Sequence, residues 1–149
     1  MILLKTREEI ERIRTSANLL SRAIAEVGRH VRPGVTTGFL DKLGEQFIRD
    51  NGGIPLCKNY DGFPSAFCMS VNDVVVHGIP SDSMFLHEGD NLSVDCVVEL
   101  NGFVSDSCYT FAVGEIGESL QRLHRVTKEA LYIGINQCKL GNRIRDISH

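Results

Sequence analysis

Residues 92–113, LSVDCVVELNGFVSDSCYTFAV, decide how this chain is read. Asn101-Gly102 is the strongest short hairpin signal a sequence offers, because both central positions of a tight two-residue turn need positive φ. The flanks, Leu92 to Leu100 and Phe103 to Val113, are then two antiparallel strands. On the first, Leu92, Val94, Cys96, Val98 and Leu100 form one apolar row, and Ser93, Asp95 and Glu99 alternate with them. One face therefore meets a core and the other carries the polar groups. A two-residue loop sets Asp95 opposite Cys108 and makes Asp106 its diagonal neighbour on the same face. Diagonal Cβ atoms lie roughly 7 Å apart, and two carboxylates so placed can converge on ions about 3.5–4 Å apart.

The sequence supplies no cation near this pair. Of the 16 Lys and Arg residues none falls between residues 59 and 121, a window holding ten acidic residues. Acidic side chains without basic neighbours face water or a bound cation. Pattern leaves both open: a solvated acidic surface, or a metal site that offsets the repulsion of like charges on neighbouring strands. Carboxylate oxygen with imidazole nitrogen suits divalent Mn, Fe, Co or Zn, and two such ions polarise a carbonyl and generate hydroxide, which is hydrolytic chemistry. His77 is expected to end a β-branched strand over 74–77, just before a turn, where its side chain reaches into a cleft; a plain loop histidine is the alternative. His30, His87 and His124 show no ligand spacing and read as surface residues.

Outward from the hairpin the chain is helical at both ends. Thr6-Arg7-Glu8-Glu9 reads as a capping box, and Ile10, Ile13, Ala17, Leu20, Ile24 and Val27 follow at helical spacing up to Arg32-Pro33-Gly34. Thr37 is expected to cap a second helix with the stripe Leu40, Leu43 and Phe47, closed by Asn51-Gly52-Gly53. A further strand is expected over 67–71. After Gly117 a third helix is expected from Leu120, Leu123, Val126, Ala130 and Ile133, stopping at Gly141. Asn142 then reads as an N-cap, with Ile144 and Ile147 opening a stripe that ends at His149. So short a helix buries little, which predicts either docking on something supplied elsewhere or a continuation beyond this chain.

Composition bounds the rest. A chain of 149 residues, 42% hydrophobic, is one globular domain or a large piece of one, able to bury roughly 70% of its unfolded surface. A net charge of −3 without basic runs argues against nucleic-acid and anionic-membrane binding, and small partners are expected. The N-terminus has three apolar residues before charge begins, so it reads as neither secretory signal nor membrane span, and the cytoplasm is the expected compartment. Cys57, Cys68, Cys96, Cys108 and Cys138 are odd in number and lack a CxxC pair. That suits reduced thiols packed as small apolar residues, with structural zinc the weaker alternative.

Several stretches together resemble the N-terminal half of the type I methionine aminopeptidases: Arg32-Pro33-Gly34-Val35-Thr36-Thr37, Ser70-Val71-Asn72 leading to His77-Gly78-Ile79-Pro80, Glu88-Gly89-Asp90, Ser93-Val94-Asp95, and Asn101-Gly102-Phe103 followed by Asp106 and Tyr109-Thr110-Phe111. The resemblance runs from Met1 to about Ser148. It implies an α+β chain forming the N-terminal half of the pita-bread fold, an antiparallel sheet with covering helices. It implies a metal-dependent aminopeptidase that removes the initiator methionine from nascent chains when the second residue is small. Asp95 and Asp106 would ligate two divalent ions (Co, Mn, Fe or Zn), and His77 would contact the substrate near the scissile amide and assist catalysis. Cys57, Tyr60, Phe63 and Cys68 match positions lining the methionine pocket, and a soft, aromatic-edged pocket suits a thioether.

Two departures from the family pattern shape the expectations. The family usually has His-Gly before its second aspartate, whereas this chain has Val104-Ser105, and Ser105 is expected to crowd the metal site. The family's remaining ligands, one His and two Glu, belong to a C-terminal half; His149 lies upstream of them and is not read as a ligand. Residues 1–149 are therefore read as a single truncated domain with weak metal binding and little activity alone. Self-association is expected through the face that half would cover. Alternatives are a non-catalytic module binding nascent peptides or ribosomes, and an enzyme of the fold acting on X-Pro or creatine-like substrates. The Tyr60, Phe63 and His77-Gly78-Ile79-Pro80 context favours the methionine pocket over the latter.

Overall fold

The computed structural model describes residues 3–148, which fall into two compact units divided between Glu115 and Ile116. His149 lies outside the described residues. The first unit holds two helices, α1 (Arg7–Gly28) and α2 (Thr37–Asp50), and four strands: β1 (Ile54–Pro55), β2 (Cys68–Val71), β3 (Asn91–Leu100) and β4 (Phe103–Ala112). All pairing is antiparallel. β4 runs along the whole of one side of β3, from Leu100↔Phe103 to Asn91↔Ala112. β1 and β2 share the other side, β1 opposite Glu99 and Val98 and β2 opposite residues 92–95.

The α1 capping box forms as expected, with Thr6 N–H donating to Glu9 Oε2 at 2.7 Å and Glu9 N–H to Thr6 Oγ1 at 3.2 Å. Burial begins only at Ser16; Ile10 is exposed and Ile13 half-buried, so the first turns stand clear of the core. The helix ends at Gly28, before the Arg32-Pro33-Gly34 stop. A Cβ on Gly28 would overlap the Phe111 ring, and one on Gly44 of α2 the Phe67 ring; bare backbone lets both helices lie close. Thr36, not Thr37, caps α2 by accepting from Phe39 N–H at 3.2 Å. Thr37 is turned inward, its Oγ1 accepting from Ser81 N–H at 3.0 Å. The buried stripe of α2 is accordingly Leu40, Gly44 and Ile48, with Leu43 and Phe47 only half-buried.

Beneath the helices Leu92, Val94, Cys96 and Val98 of β3 are fully buried and join Leu20, Val27, Leu40, Phe67 and Leu86 in one core. β2 spans Cys68–Val71 as the 67–71 reading implies, but no strand forms over 74–77. Val74, Val75 and Val76 are exposed, and Asn72 and His77 adopt φ of 53° and 58°. β-branched residues without a strand to pair with have no reason to extend, and here the chain doubles back onto β2. Met69 N–H donates to the Gly78 carbonyl at 2.8 Å, and Gly78 N–H to the buried Ser70 Oγ at 3.1 Å.

All five cysteines are free thiols. Cys68 and Cys96 are buried as small apolar groups are, but Cys108 and Cys138 are exposed, contrary to the packed reading. In the second unit α3 (Glu118–Asn136) starts after Gly117 as expected and stops five residues short of Gly141. Of its residues only Gly134 is buried; Leu123, Val126 and Ile133 of the expected stripe are exposed. Asn142 caps no helix: its Nδ2 donates to the Gln137 carbonyl at 2.9 Å, and Ile144–Asp146 is a single 3₁₀ turn. No helix among the described residues is long and apolar enough to cross a membrane.

The Ser105 expectation is overturned by strand alternation. Ser105 pairs with Val98 and is buried on the core face, where its hydroxyl lies 2.9 Å from Ser16 Oγ, which also donates to the Val98 carbonyl at 3.0 Å. It anchors α1 to the hairpin and points away from Asp106. Ser16→Ala strands a buried hydroxyl, so it should lower stability by about 1–3 kcal/mol, read as a fall in urea midpoint at unchanged m. Ser16→Ala/Ser105→Ala should cost less than the sum of the single changes.

Candidate active site

The turn at Asn101 and Gly102 has φ of 53° and 81°, the paired positive values that set the expected hairpin register. Asp95 pairs with Cys108, and Asp106 with Val97, so both carboxylates leave the face opposite the core. They open into a cavity of about 670 Å³ within the first unit. Its lining includes every residue singled out from the sequence: Cys57, Tyr60, Phe63, Cys68, His77, Asp95 and Asp106. Leu56, Pro64, Ile79 and Val97 add to the apolar wall and went unrecognised, although the alternation that turns Asp95 off the core turns Val97 to the same face.

That loop is held by groups outside the cavity. Asp41, buried on α2, accepts from Ala66 N–H at 3.0 Å and Phe67 N–H at 2.8 Å, fixing where the chain enters β2. Burial pushes its carboxyl above the ordinary range. Lys58 Nζ reaches Glu45 Oε2 at 2.7 Å, and Asn59 N–H donates to the Phe63 carbonyl at 2.7 Å. Between these anchors Asn59 and Asp61 take φ of 70° and 48°, and Tyr60 stands exposed at the rim.

The electrostatics single out the aspartate pair. Burial, followed by the charge of Asp106, pushes the Asp95 carboxyl up; the His77 imidazole and the Cys96 N–H act in the opposite sense. Neither carboxylate has a salt bridge among the described residues, whereas other acids of the basic-free window do find partners in space. Asp82 pairs with Lys42 at 2.7 Å, and Asp90 accepts from Asn72 Nδ2 and His87 N–H, each at 2.8 Å. His87 is largely exposed, and His30 Nδ1 lies 3.0 Å from the Glu26 carbonyl, both outside the cavity lining. The missing Lys and Arg of the sequence thus correspond to missing ion pairs for Asp95 and Asp106 among the described residues, but not for Asp82, which Lys42 reaches from outside the window.

The thiols differ sharply. A hydrogen bond from Cys96 and one from the Val97 backbone bring Cys57 down to about 7, with burial opposing. Burial raises Cys68 to about 12 and Cys108 to about 11, with nearby acidic groups adding to both. As cation donors the cavity offers two hard carboxylates, which match divalent ions. No group of three or more His, Cys, Asp or Glu among the described residues is placed to hold a metal ion. The donor set fits a divalent metal in kind and is partial in number.

Known proteins match this arrangement over the whole chain. The chain is 45% identical over 149 residues to a methionine aminopeptidase of Clostridium acetobutylicum, covering all of itself and 60% of that protein. It is 40% identical over 149 residues to methionine aminopeptidase 1 of Bacillus subtilis, again covering 60% of the relative. The crystal structure of a methionine aminopeptidase from Thermotoga maritima superposes with a TM-score of 0.96 at 36% identity, covering 100% of this chain and 60% of that one. Escherichia coli aminopeptidase P superposes at 0.84 with 19% identity, a likeness of fold alone. The chain thus spans about three-fifths of the length of these methionine aminopeptidases. Its α+β architecture is the N-terminal half of the pita-bread fold. The profile of metallopeptidase family M24 matches residues 11–149, and with the aspartate hairpin and its cavity inside that span, the chain belongs to this family of metal-dependent peptidases.

Proposed function

We propose that the chain carries the substrate-recognition half, and two of the metal ligands, of an enzyme that removes the N-terminal methionine from nascent polypeptides. The observation that supports this most directly is the convergence of Asp95 and Asp106, with no Lys or Arg paired to either among the described residues, on a cavity whose other wall is thiol, aromatic and aliphatic. Cys57, Tyr60, Phe63 and Cys68 present soft, polarisable surface to an unbranched thioether. His77, on the same cavity, holds the substrate backbone near the bond to be cut. Asp95 and Asp106 would hold divalent metal (Co, Mn, Fe or Zn), which when bound supplies Lewis acidity and an activated water. Nascent chains are met in the cytoplasm, where this reading places the protein.

Two carboxylates do not satisfy two ions that each take four to six ligands, so residues 1–149 alone should turn over little substrate. The same partial donor set favours a second reading, a non-catalytic module that retains the cavity and binds nascent peptides or ribosomes. The exposed apolar residues of α3 favour self-association of the isolated chain, detectable as concentration-dependent elution in size-exclusion chromatography.

Methionine release from a Met-Ala-Ser peptide with added Mn or Co should be at or near background for residues 1–149; robust turnover lost in Asp106→Asn would show the site to be complete. Saturable binding of that peptide, lost in Cys68→Trp, is expected, and failure to bind would overturn the substrate assignment. Without metal, Asp106→Asn should raise Tm by about 1–3 °C, since like charges on diagonal positions of neighbouring strands cost up to about 1 kcal/mol and a chain of this size shifts about 2–4 °C per kcal/mol. Millimolar Mn should raise the Tm of the unaltered chain and leave Asp106→Asn unmoved.

A further inference from the structure

Cys57 and Cys68 stand at the two feet of one loop. The β1 pairing continues to Leu56, whose N–H donates to the Val97 carbonyl at 2.8 Å, and the chain rejoins β3 where Cys68 faces Asp95. It thus leaves β3 at Val97 and returns two residues further along. Everything between swings away from the sheet as the wall bearing Tyr60 and Phe63. Both thiols line the cavity, and the sheet register sets them at neighbouring levels of one β3 edge, Cys57 just past the Leu56–Val97 bond and Cys68 opposite Asp95.

Cys96 hydrogen-bonds Cys57, but neither it nor Cys108 lines the cavity as Cys57 and Cys68 do. Cys108 faces Asp95 from the side opposite Cys68. Two strand spacings, about 9–10 Å, therefore separate them, beyond the roughly 7 Å that a disulfide spans between Cα atoms. Cys96 points into the core with no exposure, its Sγ 3.3 Å from the Ala66 carbonyl. Cys138 belongs to the other compact unit.

We infer that Cys57 and Cys68 form a reversible disulfide under peroxide, stapling the feet of the 58–67 loop. The half-exposed Cys57 attacks one peroxide oxygen as thiolate, giving a sulfenic acid and releasing hydroxide, which takes up a proton to become water. The Cys68 sulfur then attacks the Cys57 sulfur; its proton and the sulfenic hydroxyl leave as a second water, and the S–S bond forms. Two thiols have lost two electrons and two hydrogens, and one peroxide has become two waters. A dithiol reductant reverses the step by exchange. The acidity of Cys57 supports its role as attacking partner; the pairing itself rests on the loop geometry. That the staple shuts a methionine pocket rests on the function proposed above, whereas the cross-link does not.

The test is peptide mapping of the 149-residue chain after mild peroxide, without reductant. Cleavage before aspartate separates Cys57 in residues 50–60, Cys68 in 61–72 and Cys96 in 95–105. The expected product has lost the mass of two hydrogens, retains three of its five free thiols, and joins 50–60 to 61–72 in a link that dithiothreitol breaks. Cys57→Ser and Cys68→Ala should each abolish the link, and Cys138→Ser should leave it intact. A link from Cys57 to Cys96, sulfinic acid on Cys57 without a cross-link, joining between chains, or five surviving thiols would each overturn the inference. The mapping reads no peptide binding or turnover, so its outcome is independent of the Met-Ala-Ser measurements. Loss of Met-Ala-Ser binding on oxidation, restored by dithiothreitol and absent in Cys68→Ala, is expected if both hold; binding unchanged by a formed link would overturn the pocket closure alone.

Discussion

β3 cannot bury Leu92, Val94, Cys96 and Val98 without turning Asp95 to the other face, and this constraint organises the first unit. A slip of one residue would push a carboxylate into the core and four apolar groups into water, so the register is held from both sides of the sheet. The Asn101-Gly102 turn carries the constraint across to β4. There Ser105 is committed to the helices and Asp106 to the cavity. Two charges of like sign are thereby brought together by hydrophobic burial on the far side of the strand, where no electrostatic preference of their own could have placed them.

The hairpin was the most legible part of the chain for this reason. Its turn chemistry and period-2 pattern act locally, and they carried Asp95, Asp106 and the diagonal relation between them. The capping box at Thr6 and Glu9 was legible on the same grounds. What could not be read locally went astray. The Val74–Val76 run has strand propensity, but propensity forms a strand only beside a partner, and here Ser70 and Met69 draw the chain back instead. Thr36 and Thr37 are equivalent as capping residues in sequence; the contact of Thr37 with Ser81, 44 residues away, decides between them. The α3 stripe has helical period without burial in the described residues.

For the site, the cavity side chains were recognised through a family resemblance, whereas their supports were not. Asp41 sits on a helix face where an aspartate ordinarily signals exposure, yet it is buried because two amides from a segment 25 and 26 residues on converge on it. Ser105 shows the converse error. Read as a bulky neighbour of Asp106 it seemed an obstacle, but in a strand the adjacent residue is the one that cannot share a face. Its hydroxyl instead joins Ser16 in tying α1 to the sheet.

The loop of residues 58–67 is joined to the sheet only at its feet, and Asp41 and Glu45 brace it from α2. The aromatic part of the cavity lining, Tyr60 and Phe63, is thus carried by a segment that no strand pairing depends on, while the carboxylates stand on the most constrained strands of the fold. Substitutions at Tyr60 or Phe63 can reshape what the cavity accepts without disturbing the hairpin register. Change at Asp95 or Asp106 has no such freedom. The architecture separates what can drift from what cannot: the shape of the cavity mouth rests on a loop, and the placement of the two acids rests on the sheet.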